Sequence, residues 1–248
     1  MARVVPSSWQ VPDKVVARFG TSAGKQRAMF ADGHLVLVTH LVPDPAKSER
    51  EAVLFWRHPD GAWRSSGGSG GARGGLGGLR SLVDDYKKRV DALEDGVAQA
   101  KRAADYFQAL QAVAPVLRAV RNLHRALQEA REAVTLDRDI IALRDLAADV
   151  ERAAEIAHAD AKTGLEFAIA RQAEEQSRMA QHIAKSTHKL NLIAAMFLPI
   201  TAVATIFGMN LQHGMEERYA PFLFWALLGA AFLLGLIVRA GIDKRDAG

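Results

Sequence analysis

The stretch FLPITAVATIFGMNLQHGMEERYAP, residues 197–221, decides the fold class of this 248-residue chain. It is an apolar run that stops at Gly208-Met209-Asn210 and gives way to a short loop with two glutamates. Glycine and asparagine are residue types that end helices. The stretch therefore predicts the end of an apolar helix, followed by an exposed loop.

Two uncharged runs surround this point, one of about 18 residues from Leu192 to Met209 and one of about 17 from Phe222 to Val238. A helix needs roughly 20 apolar residues to cross a bilayer. The rest of the chain is not apolar enough to enclose two buried core helices, so we predict two membrane spans within residues 190–240.

The charged residues beside these spans predict their orientation. Positive residues precede the first span and follow the second, whereas the connecting loop 211–220 carries two glutamates and one arginine. Positive flanks stay on the cytoplasmic side. We therefore expect an inner or plasma membrane protein with both termini cytoplasmic, including the tail 241–248.

The chain before the spans divides by composition. Residues 1–64 predict a small β-rich cytoplasmic domain, because apolar strands are joined by the turn signals FADGH and HPDGAW. Residues 65–78, SSGGSGGARGGLGG, lack the ending of a phosphate-binding loop and are interpreted as a flexible linker. Residues 79–189 have apolar side chains at helical spacing and predict long helices.

Two features divide the helical region. Pro115 is predicted to kink or separate the first pair of helices, and Thr135 before Asp137 predicts a turn between antiparallel helices. The last helix is expected to run from about Asp137 through Gly164 directly into the first span.

Several function classes are disfavoured. The chain has no cysteine, and it shows no arrangement of residues typical of catalysis, so we expect neither an enzyme nor a bound cofactor. The net charge is +4, but basic and acidic residues are interleaved, which argues against a nucleic-acid partner.

A polar stripe follows one face of the first span. Taking every fourth and third residue in turn from position 187 selects nearly all the polar residues of the span. In hydrocarbon such groups must face protein or water, so the stripe indicates either a water-filled pathway or contacts between helices. Its members are Thr187, Asn191, Ala194, Leu198, Thr201, Thr205 and Gly208.

The Gly208-Met209-Asn210 triplet at the outer end of the first of two C-terminal spans, preceded by Phe197-Leu198-Pro199-Ile200-Thr201, resembles the CorA family of divalent-cation transporters. The resemblance is specific in about the last 60 residues and extends, more weakly, back to about Asp137.

The resemblance implies a mostly α membrane protein. A long stalk helix would continue into the pore-lining span, and five copies would form a homopentameric funnel in the lipid bilayer. It also implies that Gly208, Met209 and Asn210 form a selectivity filter in which Asn210 holds hydrated magnesium, and that the stripe lines the pore. A ring of neutral amide oxygens suits an ion that sheds water reluctantly.

The chain departs from the family pattern in two places. Its outer loop has Gly214-Met215-Glu216-Glu217, which keeps acidic residues but lacks a proline. Glu216 and Glu217 are expected either to attract cations or to keep an exposed loop soluble. The small N-terminal domain replaces a larger one, so no regulatory metal site is carried over.

The leading prediction is a magnesium channel or transporter, with cobalt and nickel as further candidate ions. A zinc transporter of the ZntB type is the first alternative, because the pore residues would be neutral in both. A non-conducting, membrane-anchored coiled-coil scaffold is the second.

Overall fold

The computed structural model describes residues 5–44, 51–67 and 74–208, together with 222, 225–226, 228–233 and 235–237 of the C-terminal segment. The chain forms two compact units, Met1–Ala170 and Arg171–Gly248. The described residues are mostly helical with a small N-terminal sheet, as predicted. The elements are α1 (Asp13–Val16), β1 (Arg27–Ala31), β2 (His34–His40), β3 (Ala52–Arg57), β4 (Trp63–Ser65), α2 (Leu76–Gln99), α3 (Ala103–Ala133) and α4 (Arg138–Gly208).

The four strands form one antiparallel sheet in chain order. Asp32 and Gly33 connect β1 to β2 with φ values of 50° and 82°. A two-residue hairpin with two positive φ values is the type I′ turn that Asp-Gly favours. This turn confirms the prediction made from FADGH.

Both faces of the sheet are buried. On one face, Leu35, Leu37 and Phe55 belong to the same hydrophobic core as α2 and α3. On the other, Val36 and Trp56 pack with residues from the N-terminal segment. The run of apolar residues in β2 is explained by this double coverage, because a central strand needs apolar side chains on both sides when both faces are covered.

The sheet and the helices are also joined by hydrogen bonds. The fully buried Tyr86 of α2 donates its hydroxyl to the backbone carbonyls of His40, at 3.1 Å, and Leu41, at 3.2 Å. The glycine-rich residues 65–78 predict a flexible linker between the sheet and the helices. In the structure, the sheet shares one core with α2 and α3.

The glycine-rich stretch ends in a tight approach between two parts of the backbone. Gly75 has φ of 66°, and a Cβ there would lie 2.6 Å from the carbonyl oxygen of Trp63. Only glycine fits this position. Helix α2 starts at the next residue, Leu76, three residues before the expected start of the helical region.

The break between the first two helices falls at residues 100–102, and α3 runs through Pro115 without interruption. Of the two effects predicted for Pro115, a separation of the helices is therefore wrong, and a kink stays a prediction. A proline inside a helix costs about 3 kcal/mol. Val113 and Val116 on either side of it are buried, and this packing holds the helix together across the proline.

The turn between α3 and α4 lies where Thr135 and Asp137 predicted it. One carboxylate oxygen of Asp137 accepts hydrogen bonds from the backbone N–H groups of Asp139, at 3.0 Å, and Ile140, at 3.2 Å. These two N–H groups have no partner inside the helix, so Asp137 caps α4.

Helix α4 contains 71 residues and is continuous from Arg138 to Gly208, as expected. Gly164 lies within it, and a Cβ at this position would overlap the ring of Tyr106. The glycine therefore permits close packing between α3 and α4. We predicted two membrane spans; within the described residues, no helix combines the length and the apolarity needed to cross a bilayer.

Candidate functional site

The predicted pore-lining residues lie along the C-terminal part of α4 and are exposed in the single chain. These residues are Thr187, Asn191, Ala194, Leu198, Thr201 and Thr205. Gly208 is the last residue of the helix. Met209, Asn210, Glu216 and Glu217 lie outside the described residues, so the proposed filter and the acidic loop remain predictions.

A different face of α4 contacts the C-terminal segment. Gly235 is buried, and a Cβ there would lie 3.1 Å from the carbonyl oxygen of Met196. Ala231, one turn earlier, is only 3% exposed. Small residues four positions apart let two helices approach closely. The Ala-x-x-x-Gly pattern of these two residues is visible in the sequence and is the signal that could have indicated this contact.

The polar stripe and the covered face point in different directions. Leu192, Met196 and Pro199 are partly covered, whereas the stripe residues beside them are exposed. At 3.6 residues per turn, the centres of the two faces lie about 150° apart around the helix. The C-terminal segment therefore leaves the stripe open.

The two threonines of the stripe form hydrogen bonds within their own helix. Thr201 donates its hydroxyl to the carbonyl of Phe197 at 2.8 Å, and Thr205 donates to the carbonyl of Thr201 at 2.7 Å. Such bonds satisfy the hydroxyl proton without a neighbouring helix. Each oxygen keeps a lone pair that can accept a hydrogen bond from outside the helix, for example from water around an ion.

In the first unit, charged side chains hold the N-terminal part of α4 against α3. Arg121 donates hydrogen bonds to Glu155 at 2.6 Å and to Glu151 at 3.1 Å. Both bonds raise the pKa of Arg121, and the bond to Glu155 has the larger effect. The ring of His124 lies 2.6 Å from the second oxygen of Glu151. These contacts fix the rotation of α4 about its axis.

A further ion pair connects the start of α4 to the sheet. Arg57 at the end of β3 donates Nε–H to Asp137 at 2.7 Å, and the two side chains are 15% and 10% exposed. Sequence reasoning identified Asp137 as the beginning of the helix but missed its partner, because 80 positions separate the two residues. Among the described residues, no group of three or more histidine, aspartate or glutamate side chains is arranged to hold a metal ion.

Comparisons with known proteins agree with this architecture. A family model described as "CorA-like Mg2+ transporter protein" matches residues 76–244. The full-length CmaX protein has a similar structure, with a TM-score of 0.57 and 13% identity over 96% of this chain and 83% of that one. The cytoplasmic domain of ZntB from Vibrio parahaemolyticus has a TM-score of 0.52 and 12% identity over 66% of this chain and 80% of that one. No curated protein matches the chain.

Proposed function

Because the chain belongs to the family of CorA-like Mg²⁺ transporter proteins, we propose that it conducts Mg²⁺ along the polar stripe of α4. The observation that carries the proposal is the open face of α4, where threonine and asparagine side chains of the stripe are exposed. In the sequence, the Gly208-Met209-Asn210 triplet follows this face. We propose no enzymatic role.

The proposal requires a membrane and several copies of the chain. The uncharged runs of residues 192–209 and 222–238 would span an inner or plasma membrane, with both termini in the cytoplasm. Two spans cannot enclose a pore, so the stripes of several chains must face a common axis. The number five comes from the family resemblance.

The chemistry of the lining supports a hydrated ion as cargo. Mg²⁺ keeps several water molecules when it binds, and neutral oxygens hold those waters without trapping the ion. The side-chain oxygens of Asn210 would receive the hydrated ion at the outer mouth. Thr205 and Thr201 would then accept hydrogen bonds from its waters, while Glu216 and Glu217 attract cations to the entrance.

The test is Mg²⁺ uptake by proteoliposomes together with oligomer mass in detergent, measured on the same preparations. Asn210→Ala should abolish uptake and leave the oligomer intact, because a residue at the end of a span contributes little to packing. Gln212→Ala is the matched control, since it removes an amide two positions further along the chain and should leave uptake unchanged.

The two measurements also separate the alternatives. Parental uptake by Asn210→Ala would remove the main basis of the proposal, and a monomer or dimer would contradict the pore. If the stripe serves only to join helices, Asn191→Ala and Thr201→Ala will weaken the oligomer. The same lining suits Zn²⁺, the second candidate cargo, so uptake is compared for Mg²⁺, Zn²⁺, Co²⁺ and Ni²⁺.

A further inference from the structure

Helix α4 separates its charged residues from the rest of its surface. From residue 171 to residue 187, every residue of the helix is exposed in the single chain. The lysine, arginine and glutamate residues between positions 171 and 190 all fall within about 100° of the circumference. Four of them form two ion pairs within the helix. These residues are Arg171, Glu174, Glu175, Arg178, Lys185 and Lys189.

Bulky apolar side chains form a row on the uncharged side of α4. They follow one another at steps of four, seven, three and four residues, which is the spacing of a coiled-coil seam. Each is 55–67% exposed. Together they present on the order of 500 Å² of apolar surface, the size of the largest patch on a typical soluble monomer. The members of this bulky row are Met179, Ile183, Leu190, Ile193 and Phe197.

A second row on the uncharged side consists of small residues. Ala173, Ser177, Ala180 and Ala184 are exposed and lie at steps of four, three and four residues. Small residues let the backbones of two helices approach closely. This small row lies roughly 120° around the helix from the bulky row. Thr187, the first residue of the polar stripe, lies between the two rows.

The position of the bulky row limits what covers it. Ile183 precedes Leu192, where the proposed span begins, by about 13 Å along the helix, and Met179 lies one turn further away. Lipid therefore cannot cover this part of the row. The C-terminal segment contacts a different face of α4, at Met196. Apolar side chains that face water in the single chain call for a protein partner.

A second copy of the chain offers a surface that fits. In a ring of parallel helices, the small row of the next copy lies at the same height as the bulky row, and neither row carries a charge. A seam between the two rows would bury on the order of 1,000 Å², which is the lower limit for a specific interface. Contact faces roughly 120° apart suit rings of five or six helices, whose interior angles are about 108° and 120°.

We infer that the bulky row of α4 packs against the small row of the neighbouring copy. Each copy then uses two different faces, and such head-to-tail contacts close into a ring. The polar stripe lies between the two faces and is directed to the axis of the ring. The inference rests on the proposed function, which requires several copies, and it names the seam that joins them.

The test is disulfide crosslinking, because the chain has no cysteine of its own. Full-length Ile183→Cys and Ala184→Cys chains with different affinity tags are expressed together and oxidised in the membrane. The seam brings these two positions of adjacent copies to nearly the same height. A disulfide forms when the two Cα atoms lie within about 7 Å. We expect a linked dimer that carries both tags.

Three controls accompany this mixture. Each cysteine variant alone should give at least about tenfold less dimer, because equal residues of adjacent copies do not face each other in a head-to-tail seam. Lys185→Cys lies at the same height on the charged side, so its mixture with Ala184→Cys should give equally little dimer. Met179→Cys with Ala180→Cys repeats the measurement one turn lower, in case a substitution at 183 or 184 prevents assembly.

Three results would overturn the inference. The first is the absence of a dimer with both tags in both mixtures. The second is an equal amount of dimer from Ile183→Cys alone, which would mean that like faces meet. The third is equal crosslinking of the Lys185→Cys mixture, which would indicate random collision.

Mg²⁺ uptake by the unmodified chain separates this inference from the proposed function. A chain that forms the seam but takes up no Mg²⁺ would contradict the proposed function and leave the seam in place. Uptake by a chain whose mixtures do not crosslink would contradict the seam alone.

Discussion

Replacing Arg57 by methionine tests how firmly the sheet holds the start of α4. Arg57 donates to one oxygen of Asp137 at 2.7 Å, and the other oxygen of that carboxylate caps the helix. Both side chains are largely buried, at 15% and 10% exposed. The substitution keeps much of the aliphatic volume but leaves a buried carboxylate without its counter-charge.

The burial of the pair sets the expected magnitude. Removing one partner of a buried ion pair costs about 3–5 kcal/mol, because the remaining charge is neither solvated nor paired. In a unit of this size, each kcal/mol lowers Tm by roughly 2–4 °C. We therefore expect Arg57→Met to lower Tm by roughly 6–20 °C.

A second substitution separates the ion pair from the helix cap. Asp137→Asn removes the charge but keeps an oxygen that can cap α4, since asparagine is as good a cap as aspartate. Arg57 would still donate to the carbonyl of His58, at 3.3 Å. We expect a smaller loss, about 1.5–3 kcal/mol. The double variant should lose less than the sum of the single variants, since the two groups are in contact.

The assay is thermal unfolding followed by tryptophan fluorescence, with amide hydrogen exchange at Asp139 and Ile140. The matched control is Lys14→Met, which breaks a pair at 2.9 Å whose side chains are 73% and 54% exposed. An exposed pair contributes only about 0.2–1 kcal/mol. If Arg57→Met and Lys14→Met lower Tm equally, the burial argument is refuted.

Three further predictions concern single positions. Gly164→Ala should destabilise the first unit by about 1–3 kcal/mol, because the ring of Tyr106 packed on Gly164 must move. In contrast, an added Cβ at Gly96 meets nothing within 4 Å, so Gly96→Ala should stabilise α2 by about 0.5–1 kcal/mol. Equal Tm values for the two variants would contradict this prediction. Gly235→Leu should separate the C-terminal segment from α4 and reduce the yield of the oligomer that the proposed pore requires. Gly229→Leu, in open space, should do neither, and size-exclusion profiles measure the difference. The pKa of Asp105 lies below its ordinary value of 3.8, chiefly because its carboxylate accepts a hydrogen bond from the backbone N–H at the cap of α3. The stabilisation of the folded state by Asp105 is therefore complete above pH 3.8 and disappears as the pH falls through the lower pKa of the folded state. Amide exchange at the start of α3 that does not change with pH would contradict this prediction.

Features that depend on neighbouring residues were predictable. Asp32 and Gly33 specify their own turn, and Asp137 marks the start of α4 through a short-range cap. The long uninterrupted helix follows from residues with high helix propensity. The stripe of the candidate site also follows from helical spacing alone, and Thr201 and Thr205 prove to be exposed on one open face.

Features that depend on distant residues were decided by tertiary structure. Helix α3 continues through Pro115 because packing outweighs a local penalty. Three other features join segments that lie tens of residues apart in the sequence. These are the burial of both faces of the sheet, the ion pair of Arg57 with Asp137 and the hydrogen bond from Gln26 to α3. Local sequence determines conformation over a few residues through backbone sterics and short-range hydrogen bonds. Which apolar faces and buried charges meet is decided only when the whole first unit excludes water.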